Sequence, residues 1–195
     1  MKLLTIATGI LALAAPLAMA QAQAETSTWI SDPAHSEVDF SVTHLSITSV
    51  HGRFGKVAAT LLYDQGDVSK SAVTATIDIS TVDTSEDARN NDLKTPDFFD
   101  LAKYPTATFA STSVTKGSSG LIVRGNLTLH GVTKPVVLNV EGPNGPVQGM
   151  DKKQHAGFSA TTTISRSDFG IGGKFPGSMI GDEIKLSIDL DVAKQ

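Results

Sequence analysis

A chain of 195 residues with 16 basic and 20 acidic side chains, a formal net charge of −4 and no cysteine is long enough for one domain with a sizeable core. The acidic balance argues against nucleic acid or anionic lipid headgroups as main partners, since both favour basic patches. The missing cysteine excludes disulfides, thiol catalysis, cysteine-ligated metals and a lipid-modified N-terminal cysteine.

Residues 1–24 read as a cleaved secretory signal peptide. Lys2 is the lone positive charge, Leu3 to Ala15 is a largely apolar run, and Pro16 breaks it. Two small-residue cleavage sites follow, Ala18-Met19-Ala20 and Ala22-Gln23-Ala24, and cleavage after Ala24 is favoured because Glu25 then opens a polar mature end. The run is short for a membrane span. Removing residues 1–24 from the 195 leaves 171 and takes the net charge to −5, because the leader holds Lys2 and no acid. The expectation is a periplasmic, soluble protein that is not membrane-embedded, with one domain over residues 25–195.

Residues 25–34 form a lead-in through Asp32-Pro33. Beyond it the dominant pattern is alternation. Val38, Phe40 and Val42 face one way and Glu37, Asp39, Ser41 and Thr43 the other. The same period returns at Val73-Ala75-Ile77-Ile79, Leu121-Val123-Leu127-Leu129, Val136-Leu138-Val140 and Ile184-Leu186-Ile188-Leu190-Val192. Strands are expected near residues 35–45, 53–63, 72–82, 106–115, 120–130, 134–142, 155–166 and 183–193. Turn-like breaks fall at 64–67, 116–120 and at Gly142-Pro143-Asn144-Gly145-Pro146. Eight short strands at this spacing suggest an all-β barrel or sandwich.

One segment breaks the pattern. Residues 85–94 are polar and lack alternation, with an N-cap at Thr84 or Ser85 and a stop before Pro96. A short helix there would deliver Phe98 and Phe99 to plug one end of a barrel. The glycine-rich stretch from Asp168 to Gly181 is expected to form a mobile loop.

Signals of chemistry are sparse. The five histidines form no His-X-His or His-X-X-X-His pair, so no metal site is expected, and no cofactor. No Gly-X-Ser-X-Gly elbow is present, and Gly170-Ile171-Gly172-Gly173 lacks the spacing of a phosphate loop. His44 shares a face with Val38, Phe40 and Val42; it is either a hydrogen-bonded strand residue or a contact for a ligand head. Arg89 is either an exposed helix residue paired with Glu86 or a donor to a head at the barrel mouth. The apolar faces are the stronger signal. An eight-strand barrel interior holds either its own side chains or one small ligand, and the two stay open at this point.

Several stretches resemble the YceI-like family. They are His35-Ser36-X-Val38-X-Phe40-X-Val42-X-His44-Leu45, Gly52-X-Phe54, Val82-Asp83-Thr84, Arg89-X-X-X-Leu93, Asp97-Phe98-Phe99-Asp100 and Lys103-Tyr104-Pro105-X-X-X-Phe109. Further on come Gly125-X-Leu127-Thr128, Gly131-Val132-Thr133-Lys134-Pro135, Ser167-Asp168-Phe169-Gly170-Ile171 and Ile180-Gly181-Asp182-Glu183. The resemblance implies an exported, eight-stranded antiparallel lipocalin-like barrel that binds a polyisoprenoid or similar long-chain amphipathic lipid. Relatives carry His where this chain has Asp92, and an acid near the head would disfavour a pyrophosphate.

The leading expectation is therefore a binding or carrier protein, not an enzyme. Phe40, Val42, Ile77, Phe109, Leu127 and Phe158 would line the cavity, Phe98 and Phe99 would close one end, and Arg89 with His44 would meet the head. The expected partner is an isoprenoid or fatty-chain lipid; nucleic acid is not expected, and a homodimer is compatible with the sequence. The rivals are an enzyme on a lipid or quinone-like substrate, using His44 or an acid near Arg89, and a filled, ligand-free stress-related barrel.

Overall fold

The computed structural model describes residues 26–195; the leader and its cleavage site lie outside them. Ten strand segments follow in order: β1 (Ser27–Ser31), β2 (Glu37–His44), β3 (Thr48–Phe54), β4 (Val57–Tyr63), β5 (Ala72–Asp78), β6 (Thr106–Lys116), β7 (Leu121–Leu129), β8 (Val132–Gln148), β9 (Gln154–Ser165) and β10 (Ile180–Lys194). One short helix, α1 (Asp87–Leu93), lies between β5 and β6.

The ten segments make eight staves. β10 pairs with β2 from Ile180 to Asp189 and with β1 from Val192 to Lys194, so β1 and β2 are two parts of one bent stave. β3 pairs with β2 and β4 with β1, which makes β3 and β4 the next stave. From there β4 to β10 pair in sequence, all antiparallel, and β10 returning to β1 closes the ring. The result is a closed eight-strand antiparallel barrel. Ser31 sits where the bent staves meet: its buried hydroxyl donates to Val57 O and accepts from Ala59 N, both at 2.8 Å. That satisfies groups the interrupted ladder would otherwise orphan.

Alternation sets the facing of each stave. On β10, Ile184, Leu186, Ile188 and Leu190 turn inward, opposite Val42, Phe40 and Val38 of β2 and Ala160 and Phe158 of β9. Lys185, Ser187 and Asp189 point out to solvent. A one-residue slip would reverse both sets, so burial fixes the register.

Four sequence expectations needed correction. The lead-in at 25–34 contains β1, and Thr48–Phe54 is a strand in its own right. Residues 142–146 are not a turn: β8 runs through them to Gln148, with register shifts at Glu141/Asn144 and Asn144/Val147. Gly142 and Gly145 take φ of 113° and 109°, so the Gly-Pro pairs are absorbed as bulges while pairing continues. The stretch 168–181 is a loop as expected, but an internally held one. Arg166, 6% exposed, spends its donors on backbone carbonyls of Ile171, Gly172, Phe175, Ile180 and Gly181 at 2.8–3.1 Å.

Candidate functional site

The barrel encloses a cavity of about 130 Å³ lined by 24 residues. Inward positions of β4 and β5 supply Val57, Leu61, Tyr63, Val73, Ala75 and Ile77; β6 to β8 supply Phe109, Val123, Leu127 and Leu138 among others; β9 and β10 supply Phe158, Ala160, Leu186 and Ile188. Only Tyr63, Ser71 and Thr162 bring a side-chain oxygen, and no Asp, Glu, His, Lys or Arg is in the lining. An engineered apolar cavity of about 150 Å³ stays dry and takes benzene, so an empty space of this kind favours hydrocarbon over water.

The cavity is closed at the α1 end by an aromatic layer. Phe40 lies 5.4 Å from Phe54, and Phe54 meets Phe99 edge-on at 5.6 Å. Buried Ile79, Val82 and Ala107 complete that layer. At the opposite end Trp29, Phe158 and Val192 pack together, and Val68 packs on Phe109, Val114 and Val123 from the 3-10 turn Val68–Lys70. Asp67 caps this turn through Ser69 N, and buried Asp64 accepts from Gly66 N and Asp67 N.

The structure divides the ten residues named from the sequence. Ile77, Phe109, Leu127 and Phe158 line the cavity together. Phe40 and Phe99 join the aromatic layer that closes it. Val42 points inward between Val50 and Ile184, outside the cavity lining. His44 is exposed at the end of β2. Phe98 turns away from Phe99 to stack on Phe175, centroids 5.2 Å apart. Arg89 reaches back to Thr84 and lies outside the lining: Nε donates to Thr84 Oγ1 at 2.8 Å and Nη2 to Thr84 O at 2.9 Å. Asp92, on the same helix, is exposed and outside the lining. Sequence reading passed over Tyr63, Val57 and Leu61, although Val57-Ala59-Leu61-Tyr63 carries the same period-two signal.

The titratable clusters lie elsewhere, and among the described residues no group of histidines and acids has metal-binding geometry. His155 sits between two carboxylates, Nδ1 at 2.8 Å from Asp191 and Nε2 at 3.1 Å from Asp151. Both contacts can be N–H donations only when the ring is protonated. Its pKa is raised, first by the Asp191 hydrogen bond and then by that to Asp151. A raised folded-state pKa contributes stability that is fully present below the unfolded value of about 6.5 and is lost as pH rises through the folded value. The melting temperature of the wild type should therefore fall across that window more than that of Asp191→Asn. Parallel pH profiles for the two proteins would contradict this.

A closed antiparallel barrel with an apolar, charge-free interior defines the class: a lipocalin-like barrel protein. Residues 29–192 match the YceI-like domain, and the chain belongs to that family. A UPF0312 protein of Vibrio cholerae serotype O1 is 41% identical over 139 residues, covering 71% of this chain and 73% of its own. One from Vibrio vulnificus is 37% identical over 175 residues, covering 88% and 89%. Among solved structures, the Campylobacter jejuni YceI protein matches with a TM-score of 0.70 at 32% identity, over 78% of this chain and 90% of its own. BcnA of Burkholderia cenocepacia matches with 0.71 at 26% identity, over 83% and 98%. A polyisoprenoid binding domain from Saccharophagus degradans shares the fold with a TM-score of 0.63 at 17% identity, over 88% and 100%.

Proposed function

We propose that this protein is an exported carrier that takes the apolar chain of an isoprenoid, or of a similar long-chain lipid, into its barrel. The observation that carries the reading is the lining: all but three of the 24 side chains around the cavity are hydrocarbon, and none is ionisable at neutral pH. Such a site gains from burying methylenes and has nothing with which to pair a charged head. A ligand held in this lining is therefore an apolar chain with a neutral head, and Arg89 lies outside the lining. The polyisoprenoid binding domain that shares this fold agrees in kind. The leader pattern of residues 1–24 supports export, and no helix among the described residues is long and apolar enough to cross a membrane. With no acid or histidine in the lining, general acid–base chemistry has no obvious agent there, which favours carriage over catalysis.

A series of isoprenoid alcohols of increasing length tests this. Each added methylene that enters the cavity contributes roughly 0.8 kcal/mol, or about fourfold in affinity before ordering costs, until the space is filled. Affinity should rise with length and then level. Affinity independent of chain length would sink the proposal.

A further inference from the structure

We infer that the protein docks on a lipid bilayer through the tip of the β2–β3 hairpin and the loop end beside it, with Leu45, Ile47 and Met179 entering the headgroup boundary. The inference adds to the carrier reading a surface on which cargo is taken up or released, and its test needs no isoprenoid.

Ile47 is 82% exposed, Leu45 48% and Met179 43%. Leu45 N donates to Met179 O at 2.8 Å, so the three side chains come from two segments held side by side. Single exposed apolar residues are ordinary, whereas a contiguous group marks an interaction surface. The turn that presents them runs against backbone preference. Ile47 N donates to His44 O at 3.1 Å, closing a β-turn whose central residues Leu45 and Ser46 have φ of 51° and 60°. Asn and Gly are the relaxed choices there. A leucine in that conformation, half-exposed, is a backbone outlier of the kind that collects at functional sites.

The chemistry of the tip fits a bilayer. The amides of all three apolar residues are already paired, since Met179 N donates to Pro176 O at 2.8 Å, so entering a low-dielectric boundary strands none of them. Residues 43–52 and 169–181 contain no acid, and His44, His51 and Lys174 are their only ionisable side chains. Lys174 is itself paired with Asp97. In an acidic protein this leaves a near-neutral end that an anionic leaflet does not repel, while repulsion of the rest turns that end toward the membrane. The hairpin also continues the carrier site: β2 runs from Phe40 of the aromatic layer through Val42 to the tip, and Phe175 of the loop stacks on Phe98, next to Phe99. The β8–β9 hairpin is a contrasting case. Its exposed Val147 and Met150 share the tip with exposed Asp151, Lys152 and Lys153, which the boundary would have to desolvate.

The test is sedimentation of the leader-cleaved protein with vesicles of phosphatidylethanolamine and phosphatidylglycerol. Wild type should bind, and binding should persist in about 1 M salt, where the screening length is about 3 Å. Ile47→Ser should lower partitioning about 10-fold and Met150→Ser should leave it unchanged. Leu45→Asn should lower it about 3- to 10-fold while keeping or raising the melting temperature, because Asn suits the positive φ; a loss of binding in this variant is then not a loss of fold. An Ile47→Trp reporter should shift its emission to the blue on vesicle addition, against a constant background from buried Trp29. Wild type that stays in solution, binding abolished by salt, or equal binding by all variants overturns the docking, and the carrier reading, measured by affinity for isoprenoid alcohols, stands. Ile47→Ser that splits a dimer without changing vesicle binding also overturns it and gives the patch to a second copy of the chain.

Discussion

Replacing Arg166 with methionine is expected to lower unfolding stability by about 3 kcal/mol or more, since each buried carbonyl left without a donor costs about 1–3 kcal/mol. Five carbonyls of the 171–181 stretch converge on one buried guanidinium, and those of Ile171 and Gly172 share a single nitrogen at 2.9 and 2.8 Å. Asp182 completes the surroundings by accepting from Ser167, and this hydrogen bond, ahead of the nearby Arg166 charge, holds its pKa below the ordinary aspartate range. Arg166→Lys should fall between the two, because an ammonium offers three donors from one point and cannot span the same set. The loop also carries Phe175, stacked on Phe98, and Lys174, paired with Asp97, so its loss would loosen the segment that delivers Phe99 to the aromatic layer. Urea unfolding measures the effect. A loss below about 1 kcal/mol for Arg166→Met would contradict the view that this side chain organises the loop.

Ala75→Phe should cut lipid affinity by about 100-fold while changing stability by no more than about 1–3 kcal/mol. Ala75 lines the cavity with Ala59 and Phe109 as its cross-strand partners, so a ring at this position grows into the empty space. It would displace three or four methylenes of ligand, each worth roughly 0.8 kcal/mol. Thr76→Ala, on the outward face of the same strand, should leave binding intact. If Ala75→Phe binds as tightly as wild type, the ligand is not in this cavity.

The barrel was legible because alternation is strong where strands are long and one face is buried, as in Ile184-Leu186-Ile188-Leu190. β1 escaped because it is only five residues long and three of them are Ser or Thr, and β3 because Gly52 interrupts its apolar face between Val50 and Phe54; the ladder with β2, β4 and β10 makes them strands, not their own side chains. Gly-Pro pairs at 142–146 read as a turn because bulging depends on a partner strand that local sequence does not reveal. The cavity wall was half legible for the same reason. Ile77, Phe109, Leu127 and Phe158 could be assigned by facing, whereas the outcome for Arg89 turned on Thr84 lying within reach. No local pattern announced Arg166 as a buried hub, although it directly precedes the Ser167-Asp168-Phe169-Gly170-Ile171 motif. Its partners come together only once β9 and β10 have brought the two ends of the loop side by side.

The most direct test of a lipid-carrying barrel is native mass spectrometry of the protein purified from its own source cells under non-denaturing conditions, followed by solvent extraction of the bound fraction. The account predicts a stoichiometric adduct that extracts as a neutral-headed, long-chain lipid and is absent from Ala75→Phe. A clean unliganded mass, unchanged after incubation with isoprenoid alcohols and fatty amides, would contradict it.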